Sequence, residues 1–215
     1  MAIPSKIPFV QTVLHPSDFS RASDHAFAHA LAVALQRQTT ITIIHVGDQE
    51  DSRQKWSQLV PVRATLERWG LLQAGSLQSD VYDELKVRVR KIGLQGSNPH
   101  NAMLAYLDSN PVDLVVLATE GRDGLPRWLQ PSVSEQLARH ARTMTLFVPA
   151  GGRGMVSLDD GQITCRRVLV PIDHEPGPQG AVDVASRVAD FVGDERVDIT
   201  LLHIDNDNSA EYPRV

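Results

Sequence analysis

The apolar positions of this chain fall into short blocks whose spacing switches back and forth between that of a strand and that of a helix. Residues 10–14 and 41–46 are short, largely apolar runs rich in β-branched side chains, as strands are. Between them Ala22, Ala26, Phe27, Ala30, Leu31 and Ala34 form one apolar side, which predicts a helix over residues 21–36 whose small side chains let it lie close to a sheet. Pro16-Ser17-Asp18-Phe19-Ser20 is the turn that delivers the chain to this helix, with Ser20 at the N-cap position. His25 and His29 fall on the opposite side, expected to face solvent. From residue 51 to residue 69 the chain turns polar with scattered Trp56, Leu59, Val62, Leu66 and Trp69, a second helix that Pro61 kinks or breaks.

Residues 85–92 alternate Leu85, Val87 and Val89 with Lys86, Arg88 and Arg90, the pattern of a strand at or near a sheet edge. Gly96-Ser97-Asn98-Pro99 opens a helix to about residue 109. Residues 112–119 are almost all Val, Leu and other apolar types, as expected of a central strand covered on both faces. A loop follows, then a helix from Pro131-Ser132 to about Ala141 and a fifth strand over residues 143–148. Strands alternating with helices in this way predict an α/β fold, a doubly wound sandwich on a five-stranded parallel sheet.

Part of the pattern occurs twice. Val13-Leu14-His15-Pro16-Ser17-Asp18, followed by Ile41-Thr42-Ile43-Ile44-His45-Val46, returns as Val168-Leu169-Val170-Pro171-Ile172-Asp173 and Ile199-Thr200-Leu201-Leu202-His203-Ile204. Two related units are implied. Residues 1–150 hold the complete one, residues 151–165 read as a flexible linker opened by Gly151, Gly152 and Gly154, and residues 166–215 hold a partial second repeat of strand, helix and strand. Such a fragment buries too little apolar surface to stand alone, so it docks on the first domain, exchanges with another chain, or is the remnant of a longer protein.

Hydrophobic content of 42% and charged content of 22% suffice for an ordinary packed core. A net charge of −5 with no Lys/Arg cluster argues against nucleic acid or an anionic membrane as partner. No run approaches the roughly 20 apolar residues that cross a bilayer, and the single cysteine, Cys165, fits a reducing compartment. A cytoplasmic protein is expected.

In an open parallel sheet, ligands bind at the carboxyl ends of the strands. That rule singles out the turn at residues 16–20, the stretch after Val46, and residues 118–133. Other constellations fare worse. His25-x-x-x-His29 has the spacing of a zinc pair but lacks a third ligand, His45 and His203 hold equivalent points in the repeat without a nucleophile beside them, and Cys165 has only Arg166 and Arg167 to lower its pKa. No P-loop, dinucleotide fingerprint or serine elbow is present.

Pro16-Ser17-Asp18-Phe19-Ser20, His45-Val46, Val112-Asp113-Leu114-Val115-Val116, Gly121-Arg122-Asp123-Gly124, Ser132-Val133 and Thr145-Leu146-Phe147-Val148-Pro149, in this order and spacing, resemble the universal stress protein family. The resemblance implies the sandwich of the adenine-nucleotide α-hydrolase group and a binding protein, not an enzyme. It also implies a site for ATP or another adenine nucleotide, with magnesium arriving on the nucleotide. It assigns Asp18 and the Val46 backbone to the adenine end, Ala118 to the approach of ribose or phosphates, and Gly121, Ser132 and Val133 to the phosphates, with Pro16 and Ser17 also among the nucleotide-binding residues and Arg122 and Arg127 as counter-charges. The family's nucleotide binders resemble one another in a Gly-x-x-Gly pattern, nine intervening residues, then Gly followed by Ser or Thr. Here the register reads Ala118-Thr119-Glu120-Gly121, residues 122–130, then Pro131-Ser132. Pro131 offers no N–H to an anion, although proline is also an ordinary first residue of a helix.

Three functions are left open. The first is a regulatory protein that binds an adenine nucleotide and signals through dimer contacts. The second is a module of the same fold without nucleotide that acts by protein interaction. An α-phosphate-cleaving enzyme ranks last, for want of a Ser-Gly-Gly pyrophosphatase loop or His-x-Gly-His signature. The fifth strand, with no crossover beyond it, is expected to pair with an equivalent strand, either in a homodimer or from the second unit.

Overall fold

The computed structural model describes residues 10–47, 62–119, 137, 143–152, 154–192 and 196–204, and the chain divides into two compact units, Met1–Gln162 and Ile163–Val215. In the first unit the order is β1 (Thr12–Pro16), α1 (Arg21–Arg37), β2 (Thr40–Val46), α2 (Val62–Arg68), α3 (Asp80–Asp83), β3 (Arg88–Leu94), α4 (Pro99–Ser109), β4 (Leu114–Thr119) and β5 (Met144–Pro149). The five strands form one parallel sheet in the order β3-β2-β1-β4-β5. The order reverses at β1, so its carboxyl end, with those of β2 and β4, opens the crevice where such sheets bind ligands.

Burial follows the order. β1 and β2 are shut in along their middles and β4 along its first four residues, whereas β3 and β5 at the edges stay largely open. The alternation of β3 is that of a sheet edge, as its Lys and Arg positions predict. β1 is the middle strand and β4 its neighbour, although β4 has the more continuously apolar sequence. His15 explains the difference: a histidine interrupts the run of β1, yet it is as buried as the valine and leucine before it.

Successive residues of a strand face opposite sides, and the two sides of the sheet have different covers. Leu14, Ile44, Val115 and Leu117 pack with Met103 and Leu107 of α4 and with Leu137. The other side carries α1, whose Ala26, Ala30 and Ala34 are wholly buried and allow the close approach predicted from their size. Ser20 caps α1 by accepting from Ser23 N–H at 3.2 Å, and Gln38 closes it in the left-handed region at φ 49°. Asn98 caps α4 through Asn101 N–H at 3.1 Å, with Pro99 in its first turn.

The sequence expectations shift at several points. α2 begins one residue after Pro61, and the rest of the expected second helix lies outside the described residues, as does the expected helix at residues 131–141 apart from buried Leu137. β3 starts at Arg88 because Lys86 is in the left-handed region and donates its N–H back to Tyr82 O, which keeps residues 85–87 out of the strand. His29 does not face solvent: it is 1% exposed. Nor do residues 154–162 behave as a flexible linker. Val156 is buried, Met155 N–H donates to His29 Nε2 at 3.0 Å, and Trp69 Nε1 donates to Leu158 O at 2.9 Å. Glycine and polar content suggested freedom, but the glycines serve close packing against two rings.

The second unit is β6 (Arg167–Pro171), α5 (Gln179–Val192) and β7 (Asp198–Leu202), with the two strands parallel. Its register repeats that of β1 and β2, since Pro171 stands opposite Leu202 as Pro16 stands opposite Ile44.

Asp113, at the foot of β4, accepts Gln11 N–H, Thr12 N–H and the Thr12 hydroxyl on one carboxylate oxygen, each at 2.9 Å. It fastens the start of β1 to β4 where the ladder between them is short. Asp113→Ala should lower stability by about 1 kcal/mol, the net value of hydrogen bonds at a site water reaches, read as a drop in urea midpoint at unchanged slope. An unaltered midpoint would mean the carboxylate is dispensable.

Candidate functional site

β1 ends in proline, and the geometry of the site follows from that. Pro16 has no N–H to extend the ladder, so the first free amide beyond it, that of Ser17, donates to Ile44 O at 2.7 Å. The Ser17 carbonyl accepts from His45 Nδ1 at 2.7 Å. Its hydroxyl accepts Phe19 N–H at 3.2 Å and shares a 3.0 Å hydrogen bond with Ser23. The chain then turns sharply: Phe19 takes φ 63° with its ring against His45, centroids 4.3 Å apart, and Asp18 accepts Ser20 N–H at 2.9 Å on Oδ1. Asp18 is exposed, and its Oδ2 takes no hydrogen bond from the described residues. The carboxylate is therefore only half engaged in local capping.

This turn forms one wall of a cavity of about 320 Å³ at the strand tips. Pro16, Ser17, Asp18 and Ser23 line it from β1 and α1, Ile44, His45 and Val46 from β2, Leu117 and Ala118 from β4, and Pro99 and Met103 from α4. The lining divides by chemistry, with an apolar part built from Ile44, Met103 and Leu117 and a polar part from Ser17 and Asp18. Five positions singled out in the sequence thus meet in one cavity: Pro16, Ser17, Asp18, Val46 and Ala118. Gly121, Arg122, Ser132 and Val133, with Arg127 and Pro131, lie outside the described residues.

Sequence reasoning passed over His15, Ser23, Pro99 and Met103. His15 sits below the cavity, fully buried, donating from Nδ1 to Val116 O at 3.0 Å while Nε2 stands 3.3 Å from the Ser23 hydroxyl. The parity of β1 was a usable signal, because His15 is two residues from inward-facing Val13. Pro99 and Met103 come from a helix whose start was legible but whose side of the sheet was not.

Other candidates carry less. His29 Nδ1 donates to His25 O at 2.8 Å and Nε2 accepts Met155 N–H, so both ring nitrogens are committed and none is left for zinc. Among the described residues no group of three or more His, Cys, Asp or Glu is arranged to hold a metal, and none of their helices is long and apolar enough to cross a membrane. Cys165 is half-buried.

Burial pulls the pKa of His15 from 6.5 down to about 4, against the opposing pull of the Val116 carbonyl and the Asp18 charge. Below 6.5 the unfolded chain takes up this proton and the folded one does not, so stability falls as pH drops from 6.5 towards about 4. The His15 share of this loss is up to about 3 kcal/mol. Urea titrations across that window should give a steeper pH dependence for the native chain than for His15→Gln; equal slopes would show that His15 is not buried neutral.

The model of the universal stress protein family matches residues 10–149, well over half of the chain. A universal stress protein of Methanocaldococcus jannaschii is 20% identical over 150 residues, covering 63% of this chain and 93% of that protein. Among solved structures, the universal stress protein UspA of Lactobacillus plantarum shares 21% identity at a TM-score of 0.42, over 65% of this chain and 97% of its own. A universal stress protein in complex with cAMP shares 20% identity at a TM-score of 0.43, over 66% of this chain and 98% of its own. Residues beyond 149 fall outside the family match. The match takes in every strand of the first unit and the whole lining of the strand-tip cavity, and this chain belongs to the universal stress protein family.

Proposed function

We propose that the strand-tip cavity binds the adenine end of a nucleotide and that the protein works as a regulatory binding protein, not as an enzyme. The observation that carries this reading is the convergence of Pro16, Ser17, Asp18, Val46 and Ala118 on one cavity at the point where strand order reverses. A purine is a flat apolar ring with polar edges, and the cavity offers apolar Ile44, Met103 and Leu117 beside an acceptor, Asp18 Oδ2, not used by the turn. In this reading Asp18 accepts from the ring's exocyclic amino group and the Val46 backbone meets its other edge. The sugar leaves past Ala118, and the phosphates reach Gly121, Arg122, Ser132 and Val133 with magnesium bound to them. A universal stress protein has been solved in complex with cAMP, and the reading is in keeping with what that protein holds. Pairing of two chains along the β5 edge would pass the bound state on.

The second reading, the same fold acting through its surfaces without nucleotide, is favoured by one feature: Pro131 removes a backbone donor where family binders carry glycine. Mass spectrometry of protein purified under native conditions, followed by calorimetry with ATP, ADP and AMP plus magnesium, separates the two. Co-purified adenine nucleotide, with affinity weakened about tenfold or more in Asp18→Ala through loss of a charge-assisted hydrogen bond, supports the first. Heat-free titrations with all three nucleotides, and nothing co-purified, would leave only the second.

A further inference from the structure

Residues 154–162 cross the first unit as a strap anchored at two aromatic rings. At one end Met155 N–H donates to His29 Nε2 at 3.0 Å. Gly154, at φ +62°, lies so close to the same ring that a Cβ there would stand 2.4 Å from Nε2. At the other end Trp69 Nε1 donates to Leu158 O at 2.9 Å, and Gly161, at φ +73°, lies against the Trp69 ring, where a Cβ would come within 2.4 Å of Cε3. Between the anchors the strap holds its own shape through Ser157 N–H to Gln162 O and Gly161 N–H to Ser157 O, both 2.9 Å, and buries Val156. No side chain larger than hydrogen fits either glycine position unless the strap or the ring beneath it shifts, and the positive φ of both adds strain to any substitution.

We propose that neutral His29 latches this strap onto α1 and that a proton on His29 releases it. The partners fix the tautomer. His25 O can only accept, so Nδ1 must carry a hydrogen, and Met155 N–H can only donate, so Nε2 must be bare. A second proton would set Nε2–H against Met155 N–H, turning the anchoring bond into a repulsion. Burial works in the same direction by holding the pKa of His29 below the usual histidine value, opposed by the His25 carbonyl and reinforced by the His25 ring at 5.4 Å, centroid to centroid. Among the described residues, the titratable group against the ring is His25, and Arg21 and Asp24 on α1, Arg68 at the end of α2 and Asp159 on the strap line the cavity beside it. Leu158 and Asp159 also help wall a cavity of about 700 Å³, whose lining includes His25, Arg21, Asp24 and Arg68. Release of the strap would therefore open that cavity on one side and free the segment that leads into the second unit.

Trp69 is a built-in reporter, and replacing Trp56 and Trp128 by Phe leaves it as the only tryptophan. As pH falls from about 8 to about 5, Trp69 emission should shift with the same midpoint as the His29 imidazole resonances, below the ordinary histidine value. Over the same range, exchange of the Met155 amide, corrected for intrinsic rates, should accelerate about tenfold for the loss of one hydrogen bond. His29→Gln should abolish the transition; a transition that survives in it, or Trp69 emission that stays flat while His29 titrates, would overturn the proposal. Gly154→Ala tests the same point without touching the histidine. With its far-UV spectrum unchanged, it should show the acid-state emission already at about pH 8, and native emission there would be equally fatal.

Discussion

The site and the fold around it depend on the peptide of Ser17. A parallel pair of strands has to end without leaving backbone groups unpaired, and β1 ends at a residue that cannot donate. Ser17 resolves this from both sides of its backbone, with its N–H on Ile44 O and its C=O on His45 Nδ1. The side chain of His45 thus acts as an extra rung of the ladder. With that peptide fixed, Phe19 is driven into the left-handed region, Ser20 falls at the helix N-cap, and the Asp18 carboxylate is held at the cavity wall. The second unit repeats the arrangement with different side chains. Ile172 N–H reaches Leu202 O at 2.8 Å, His203 Nδ1 reaches Ile172 O at 3.2 Å, and His174 stands against His203 where Phe19 stands against His45. The recurrence of Pro-x-Asp with a later histidine is therefore the written form of a strand-end clasp. What the second unit lacks at this point is the serine hydroxyl that, in the first, ties the clasp to the following helix.

Three histidines of the first unit, His15, His29 and His45, are buried, and each donates from Nδ1 to a main-chain carbonyl. An imidazole suits this place because its two nitrogens can meet a donor and an acceptor at once, while its ring fills space among apolar neighbours. At His15 and His29 the cost is acid sensitivity, since burial lowers both pKa values and favours the neutral ring. His15 shows it most clearly: it is fully buried, and that burial holds its pKa down to about 4.

The fold was legible because strand and helix spacings are strong and alternate regularly, and because small alanines on α1 said which side met the sheet. The cap at Ser20 and the helix start at residues 96–99 were legible too, where local hydrogen bonding decides the outcome. What escaped was tertiary. Nothing in the spacing of His25 and His29 says that a segment more than a hundred residues later covers one of them, and α1 accordingly carries buried residues nearly all round its middle. The strap was misread for the same reason: glycine has two opposite meanings, chain freedom and close approach, and only the partner ring distinguishes them. Half of the expected site, the turn before α1 and the ends of β2 and β4, followed from the rule for open parallel sheets. Met103 and Pro99 did not, because the side of the sheet taken by α4 depends on the handedness of a crossover and not on the helix's own sequence.

Under the nucleotide reading, the division of the cavity bears on how substitutions along residues 118–133 would act. Base recognition would rest on apolar lining from β2, β4 and α4 and on one carboxylate from the turn after β1. Phosphate recognition would rest on backbone donors and hydroxyls of a separate stretch of chain. Replacing glycine by Pro131 deletes a donor from the second group and touches none of the first. Loss at one end therefore leaves the other intact, and the free energy it removes scales with the number of phosphates that would have used it. A ligand with one phosphate loses least. On that reading, the replacement of glycine by Pro131 would set which adenine nucleotide the cavity prefers before it decides whether one is held at all.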